Sequence, residues 1–211
     1  MLSLTLRKPI IALCGTGGTG KTTVLNALAD ALQKADYPFA VFTSVSREYF
    51  ALQGLAKEAE YKALELEDKS SFQAGMMQFY IKRLLEFIET HPDAKVLCDR
   101  SIFDHFAYWT LCGSVDWITY SHLYEAVKSY CAFVDRLFYF PYPSPFQASA
   151  NVNDGFRDID IGYNLAHSAL VYTYANAALG DSGHDRRCLP PMLVDSVADR
   201  VKQITGQIGL G

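Results

Sequence analysis

The chain has 211 residues, half of them hydrophobic, with 19 basic against 23 acidic side chains and a net charge of −4. That is apolar material for the core of one α/β domain over residues 1–211, and too short a chain for two ordinary ones. Near-balanced charge argues against a broad nucleic-acid-binding field, and no apolar run reaches the roughly 18 residues of a membrane span. Five scattered cysteines without a CxxC spacing fit a reducing, cytoplasmic setting with no structural metal.

Pro9–Cys14 is a continuous apolar run, the pattern of a strand buried on both faces. Lys21–Lys34 follows with Val24, Leu25, Leu28, Ala31 and Leu32 at helical spacing. A second strand is expected at Pro38–Thr43 and a helix at Ser71–Glu89, stopped by His91-Pro92. A third strand, Lys95–Cys98, ends at Asp99. Helices over Ile102–Leu111 and Thr119–Ala132 lead to a fourth strand, Arg136–Phe140. Pro141–Asp160 is rich in turn residues, and a stretch of that length inside a compact domain reads as a functional loop or lid. Beyond it come a helix at Ile161–Leu179, apolar enough to serve a homodimer, a fifth and irregular edge strand at Cys188–Val194, and a last helix from about Asp195-Ser196. Strands alternating with helices imply a parallel sheet, here five-stranded, with helices on both faces.

Gly15-Thr16-Gly17-Gly18-Thr19-Gly20-Lys21-Thr22, followed by Thr23, fits G-x-x-x-x-G-K-[ST] at every fixed position. Glycines let the backbone curl so that its N–H groups converge on phosphate oxygens, and the helix that starts here adds its positive end. Lys21 is the residue to reach the β- and γ-phosphates of a nucleoside triphosphate, expected to be ATP, and Thr22 offers a hydroxyl to Mg²⁺. Asp99-Arg100 closes the third strand, at the edge where ligands of open parallel sheets sit. Asp99 there can share the Mg²⁺ shell or accept a proton, and Arg100 can stabilise charge on a transferring phosphoryl group. Arg47-Glu48-Tyr49 follows the second strand, with Glu48 a second candidate for the base.

Aromatics such as Tyr49, Phe50, Phe72 and Tyr108 supply flat walls for a planar acceptor, equally the signature of ordinary core packing. Gln73 and Gln78 could read a base edge. Asp104 could hold a ribose or cap its helix. Arg157, in Asp154-Gly155-Phe156-Arg157-Asp158, suits a lid arginine that closes over phosphates. Arg186-Arg187 reads as a solvated pair or as a flank of the adenine site.

Together "GTGGTGKTT", "SREY" and "LCDRSIFD" resemble the nucleoside and nucleotide kinase group of phosphate-loop proteins. The likeness is to deoxynucleoside kinases, thymidylate kinases and the ribosylnicotinamide kinase-like ATPases. The segment 153–158 is similar to an Asp-Gly-x-Arg element of the last group, and "VDRLFYFPYP" resembles their fourth strand running into a lid. The resemblance implies a three-layer phosphate-loop kinase fold with a lid at about 141–160. It also implies that Glu48, Asp99 and Arg100 flank the acceptor hydroxyl. Asp99 stands where deoxynucleoside kinases usually carry Glu, as in thymidylate kinases, and Tyr49 replaces a frequent Pro.

The expected activity is transfer of the γ-phosphoryl group of Mg-ATP to a hydroxyl of a nucleoside-like acceptor. Three other readings stay open: a nucleoside monophosphate kinase gripping its acceptor through Arg47 and Arg100, a kinase acting on a hydroxyl of DNA or RNA, and a non-catalytic ATP switch. Balanced charge places the polymer substrate behind the small molecule. An Asn-Lys-x-Asp guanine reader is absent, and 211 residues leave little room for the sensor and oligomer elements of AAA+ machines.

Overall fold

The computed structural model describes residues 8–43, 45–55, 58–113, 115–142, 161–181, 191–193 and 196–210. Four strands, β1 (Ile10–Cys14), β2 (Phe39–Phe42), β3 (Lys95–Cys98) and β4 (Val134–Tyr139), form a parallel sheet in the order β2-β3-β1-β4. The strand that feeds the glycine loop is therefore internal, paired on one side with β3 and on the other with β4.

The alternation of β1 divides the interior. Ile10, Ala12 and Cys14 point into one core, Ile11 and Leu13 into the other. The second core is closed by α1 (Lys21–Lys34) through Val24, Leu25, Leu28 and Leu32, and by α8 (Val197–Gln207) through Ile204. The first is closed by α4 (Leu66–Thr90), α5 (Ile102–Leu111), α6 (Trp117–Cys131) and α7 (Ile161–Asp181). Helices thus lie on both faces, as the strand–helix alternation requires.

The expected spans of α1, β3 and α5 coincide with those observed. Two short helices, α2 (Ser46–Leu52) and α3 (Glu58–Lys62), lie between β2 and α4. Too short to show a full apolar period, they are invisible to pattern reading. α4 begins five residues before the expected start at Ser71, with Glu67 and Asp68 in the first turn complementing the helix dipole.

Among the described residues the sheet has four strands, not five. Of the segment Cys188–Val194, residues 191–193 are described, and they form no strand. Met192 donates one N–H to the carbonyl of Tyr139 at 2.9 Å.

The junction that fixes the loop is tight. Phe140 donates its N–H to Cys14 at 2.8 Å, drawing the exit of β4 against the exit of β1. Gly15 follows at φ +130°, and a Cβ placed there would meet the Phe140 carbonyl oxygen at 2.2 Å. Gly15→Ala should therefore lower the unfolding free energy by at least about 2 kcal/mol. In a domain of this size that moves the melting midpoint down by roughly 2–4 °C per kcal/mol. An unchanged midpoint in a thermal melt would mean that the junction opens freely.

Candidate active site

The carboxyl ends of β1, β2 and β3 open on a cleft of about 770 Å³. Gly17 to Thr23 line one end of it, with Thr43, Asp99 and Arg100 at the strand exits. α2 contributes Ser46, Arg47 and Phe50, α3 contributes Tyr61 and Lys62, and α4 contributes Leu66, Lys69, Gln73 and Met76. His105, Tyr108, Leu111 and Cys112 come from α5 and its end, and Tyr163 and Asn164 from α7.

α1 starts at Gly20, in the left-handed region, with no side chain capping its first N–H groups. Those donors remain for a ligand on the cleft side, where the helix dipole is positive. Lys21 is folded back onto the loop: Nζ donates to the carbonyls of Gly15 at 2.7 Å and Thr16 at 2.6 Å, and to Thr19 Oγ1 at 3.3 Å. Burial lowers its pKa to about 8, with the Arg100 guanidinium adding to the effect. Thr22 donates its hydroxyl to Asp99 Oδ2 at 2.8 Å. Asp99 reaches this position because its own N–H bonds the Phe42 carbonyl at 3.1 Å, extending the β2–β3 register past the strand ends.

Asp104 is wholly buried beneath the loop. Oδ1 accepts the Gly15 N–H at 2.9 Å, and Oδ2 accepts the N–H and hydroxyl of Ser101 at 2.8 and 2.7 Å. Both oxygens are thus used in capping α5 and bracing the loop. Asp104 does not line the cleft; of the two roles expected for it, a ribose contact or a helix cap, it fills the cap. His167 Nε2 donates to the Asp104 carbonyl at 3.1 Å, and Thr16 donates its hydroxyl to Asn164 Oδ1 at 2.8 Å, so α7 ties down the loop's first limb. Arg100 lies over the Tyr108 ring at 5.8 Å. Burial opposes its charge, but Tyr108, Asp104 and Asp99 outweigh burial and raise its pKa. Among the described residues its buried Nη1 has no hydrogen-bond partner.

The sequence-expected residues divide. Gly17, Gly18, Thr19, Gly20, Lys21, Thr22, Thr23, Arg47, Asp99 and Arg100 share the cleft, while Gly15 and Thr16 shape the loop from below. Glu48, Tyr49 and Gln78 are not among the lining residues. α2 is a helix, so neighbours Arg47 and Glu48 point about 100° apart. Glu48 faces away toward Arg83 of α4 at 3.6 Å, both side chains about half exposed. Tyr49 packs on the rings of Phe72 and Phe79, over the gap left by Gly75. Gln78 is exposed, about 140° around α4 from the cleft residue Gln73. Arg157, Arg186-Arg187 and nearly all of the lid segment 141–160 lie outside the described residues.

Lys62, Lys69, His105 and Asn164 were not expected in the site. Lys69, His105 and Asn164 lie on α4, α5 and α7 outside any motif of fixed spacing, and Lys62 lies on the short α3.

A glycine loop between an internal strand and a helix, with a hydroxyl–carboxylate pair at the next strand exit, defines a phosphate-loop domain. The chain belongs to the family described as AAA domain, whose model matches residues 10–177. The 211 residues were expected to leave little room for AAA+ elements, yet the AAA domain model fits within residues 10–177. No curated protein matches the sequence. Among solved structures, a deoxyadenosine kinase from M. mycoides with bound dCMP and dCDP superposes at TM-score 0.57 and 18% identity, over 94% of this chain and 98% of that one. A thymidylate kinase from Ehrlichia chaffeensis superposes at TM-score 0.56 and 17% identity, over 94% and 97%. At such identities the likeness establishes a shared fold, the phosphate-loop kinase fold with its parallel sheet and helices on both faces.

His105 and His167, 2% and 0% exposed, give the site a pH signature. Burial lowers their pKa values to about 3 and about 4, with Arg100 contributing to both. The unfolded chain protonates them near 6.5, so below that pH it binds more protons than the native state. Their contribution to stability is complete above about 6.5 and is lost as pH falls toward 4 and then 3. By pH 5 each histidine costs about 2 kcal/mol. Urea unfolding at pH 7 and pH 5 should show His167→Gln losing about 2 kcal/mol less than the parent protein. Equal losses would mean that His167 titrates normally.

Proposed function

We propose that this protein is an ATP-dependent kinase that transfers the γ-phosphoryl group to a hydroxyl of a nucleoside-like acceptor. The observation that carries this reading is the 2.8 Å contact between Thr22 Oγ1 and Asp99 Oδ2 at the N-terminus of α1. It joins two hard oxygen donors, the kind Mg²⁺ takes, beside backbone N–H groups free to hold phosphate. Gly17 to Thr23 would hold the triphosphate, and Thr22 with Asp99 the ion. Bound Mg-ATP supplies the electrophilic phosphorus and neutralises part of its charge.

The chain's own contribution is orientation and charge. Lys21 and Arg100 bring positive charge to the cleft from two sides. Among the described residues Asp99 is the one carboxylate that lines it. Both duties expected of an acid, holding the ion and receiving the hydroxyl proton, therefore fall to Asp99 rather than to Glu48. Phe50, Tyr61 and Tyr108 offer rings and Gln73 an amide, a composition suited to a planar base. Arg157 keeps its proposed role as a lid arginine.

A specific observation favours an acceptor that already carries a phosphate. Arg47, Lys62 and Lys69 line the cleft with Arg100, while Glu48 lies outside it. Cations recognise an anion, and a neutral nucleoside has none. A nucleoside monophosphate meets both the cations and the aromatic wall; on this second reading the phosphoryl group goes to the acceptor's phosphate oxygen, which has no hydroxyl proton to give up, and Asp99 serves the ion alone.

Turnover measured across nucleosides, nucleoside monophosphates, ribosylnicotinamide and DNA with hydroxylated bases separates the two readings: highest turnover with a nucleoside supports transfer to a hydroxyl, and highest turnover with a monophosphate supports transfer to a phosphate. No turnover with any acceptor, alongside intact ATP binding, would leave the switch reading in its place. Lys21→Ala should retain its fold by circular dichroism and lose at least about 10²-fold in turnover. Asp99→Asn should lose roughly 10²- to 10⁴-fold and respond less to Mg²⁺, whereas Glu48→Gln should turn over normally. Arg47→Ala should raise the acceptor KM at least about tenfold for a monophosphate and leave the KM for ATP unchanged. A rise in the ATP term instead would move Arg47 out of the acceptor site.

A further inference from the structure

The phosphate loop is also gripped from outside the cleft, by a residue beyond the span matched by the family model. Arg200 lies in the first turn of α8 and is wholly buried. Its Nη1 donates to the Thr19 carbonyl at 3.0 Å, and its guanidinium lies over the Phe140 ring, 5.3 Å from the centroid. Phe140 is the residue whose N–H bonds Cys14 and whose carbonyl abuts Gly15. One guanidinium therefore touches the far limb of the loop and the strand exit that confines its near limb.

α8 is a firm mount for this contact. Ser196 caps it, accepting the Asp199 N–H at 3.0 Å, and Ile204 with Val201 packs into the core that α1 closes. The contact has a directional consequence. In a planar trans peptide the C=O and the following N–H point opposite ways. Arg200 does not line the cleft, whereas Thr19 and Gly20 do. Drawing the Thr19 carbonyl outward turns the Gly20 N–H inward, toward the ligand side. Anion binding by such a loop depends on N–H groups held in convergent directions before the ligand arrives.

We propose that Arg200 is a positioning residue for the phosphate loop, fixing the Thr19–Gly20 peptide so that its N–H faces a bound polyphosphate. The inference rests on the loop's proposed role in nucleotide binding. It makes the C-terminal helix part of the nucleotide site although no α8 side chain reaches the cleft. Arg suits the place because a planar fork can lie on a ring and still donate in its own plane, which an ammonium cannot do.

The test is isothermal titration of the full chain with Mg-ATP and, separately, with inorganic tripolyphosphate, well below each variant's melting midpoint. Arg200→Met should bind both probes roughly 10- to 100-fold more weakly, the worth of a hydrogen bond to a charged group. Arg200→Lys should show a smaller loss, about 3- to 10-fold. The stoichiometry should stay near one. If Arg200→Met does not fold, Arg200→Lys decides alone. Parental affinity in the folded variants, or fewer binding sites at unchanged affinity, would reduce Arg200 to a packing residue and overturn the proposal. A loss confined to ATP would also overturn it, since the effect would then lie at the base. If the parent protein bound neither probe, the nucleotide-binding reading itself would fall and this proposal with it.

Discussion

Asp104 is a buried carboxylate that reaches a backbone segment 89 residues away, taking an N–H from Gly15 on one side and from its near neighbour Ser101 on the other. β1 and β3 are neighbours in the sheet, so their exits would lie close in any case. The carboxylate converts that closeness into a fixed relation between the glycine loop and the Asp99-Arg100 segment. A buried acid is costly unless its oxygens are satisfied, and here three donors satisfy them. The Thr22–Asp99 contact depends on this brace, because it joins one residue from each of the two segments.

The cleft above the brace is uneven in charge. Lys21, Arg47, Lys62, Lys69 and Arg100 line it against a single described carboxylate, although the whole chain carries more acids than bases. Net charge was therefore a poor guide to the site. Cations concentrated in a concave, partly buried surface act more strongly than their number in the total suggests.

Much of the fold was legible because several of its elements carry continuous or periodic apolar residues. α1, with Val24, Leu25, Leu28 and Leu32, and β3, with Val96 and Leu97, could be bounded from the sequence alone. The phosphate loop was legible because its chemistry fixes residue types at fixed spacing. What failed was direction. Glu48 and Gln78 have the right chemistry and lie close in sequence to cleft residues, but a helix turns each away from its neighbour. Asp104 was read as either a ligand contact or a cap, and only the tertiary approach of Gly15 assigns both oxygens. Arg200 was illegible for a different reason: a contact across 181 residues leaves no local pattern.

Lys21 carries a consequence for how binding would be observed. With a pKa lowered to about 8, first by burial and then by Arg100, Lys21 gives up its proton far more readily than a free lysine. A polyanion settling on the loop favours the ammonium and draws that proton from solution. Binding in mildly alkaline solution thus takes up a fraction of a proton per site at this lysine. The measured heat then includes the ionisation enthalpy of whatever buffer surrenders the proton, and it changes from buffer to buffer while the affinity at that pH does not.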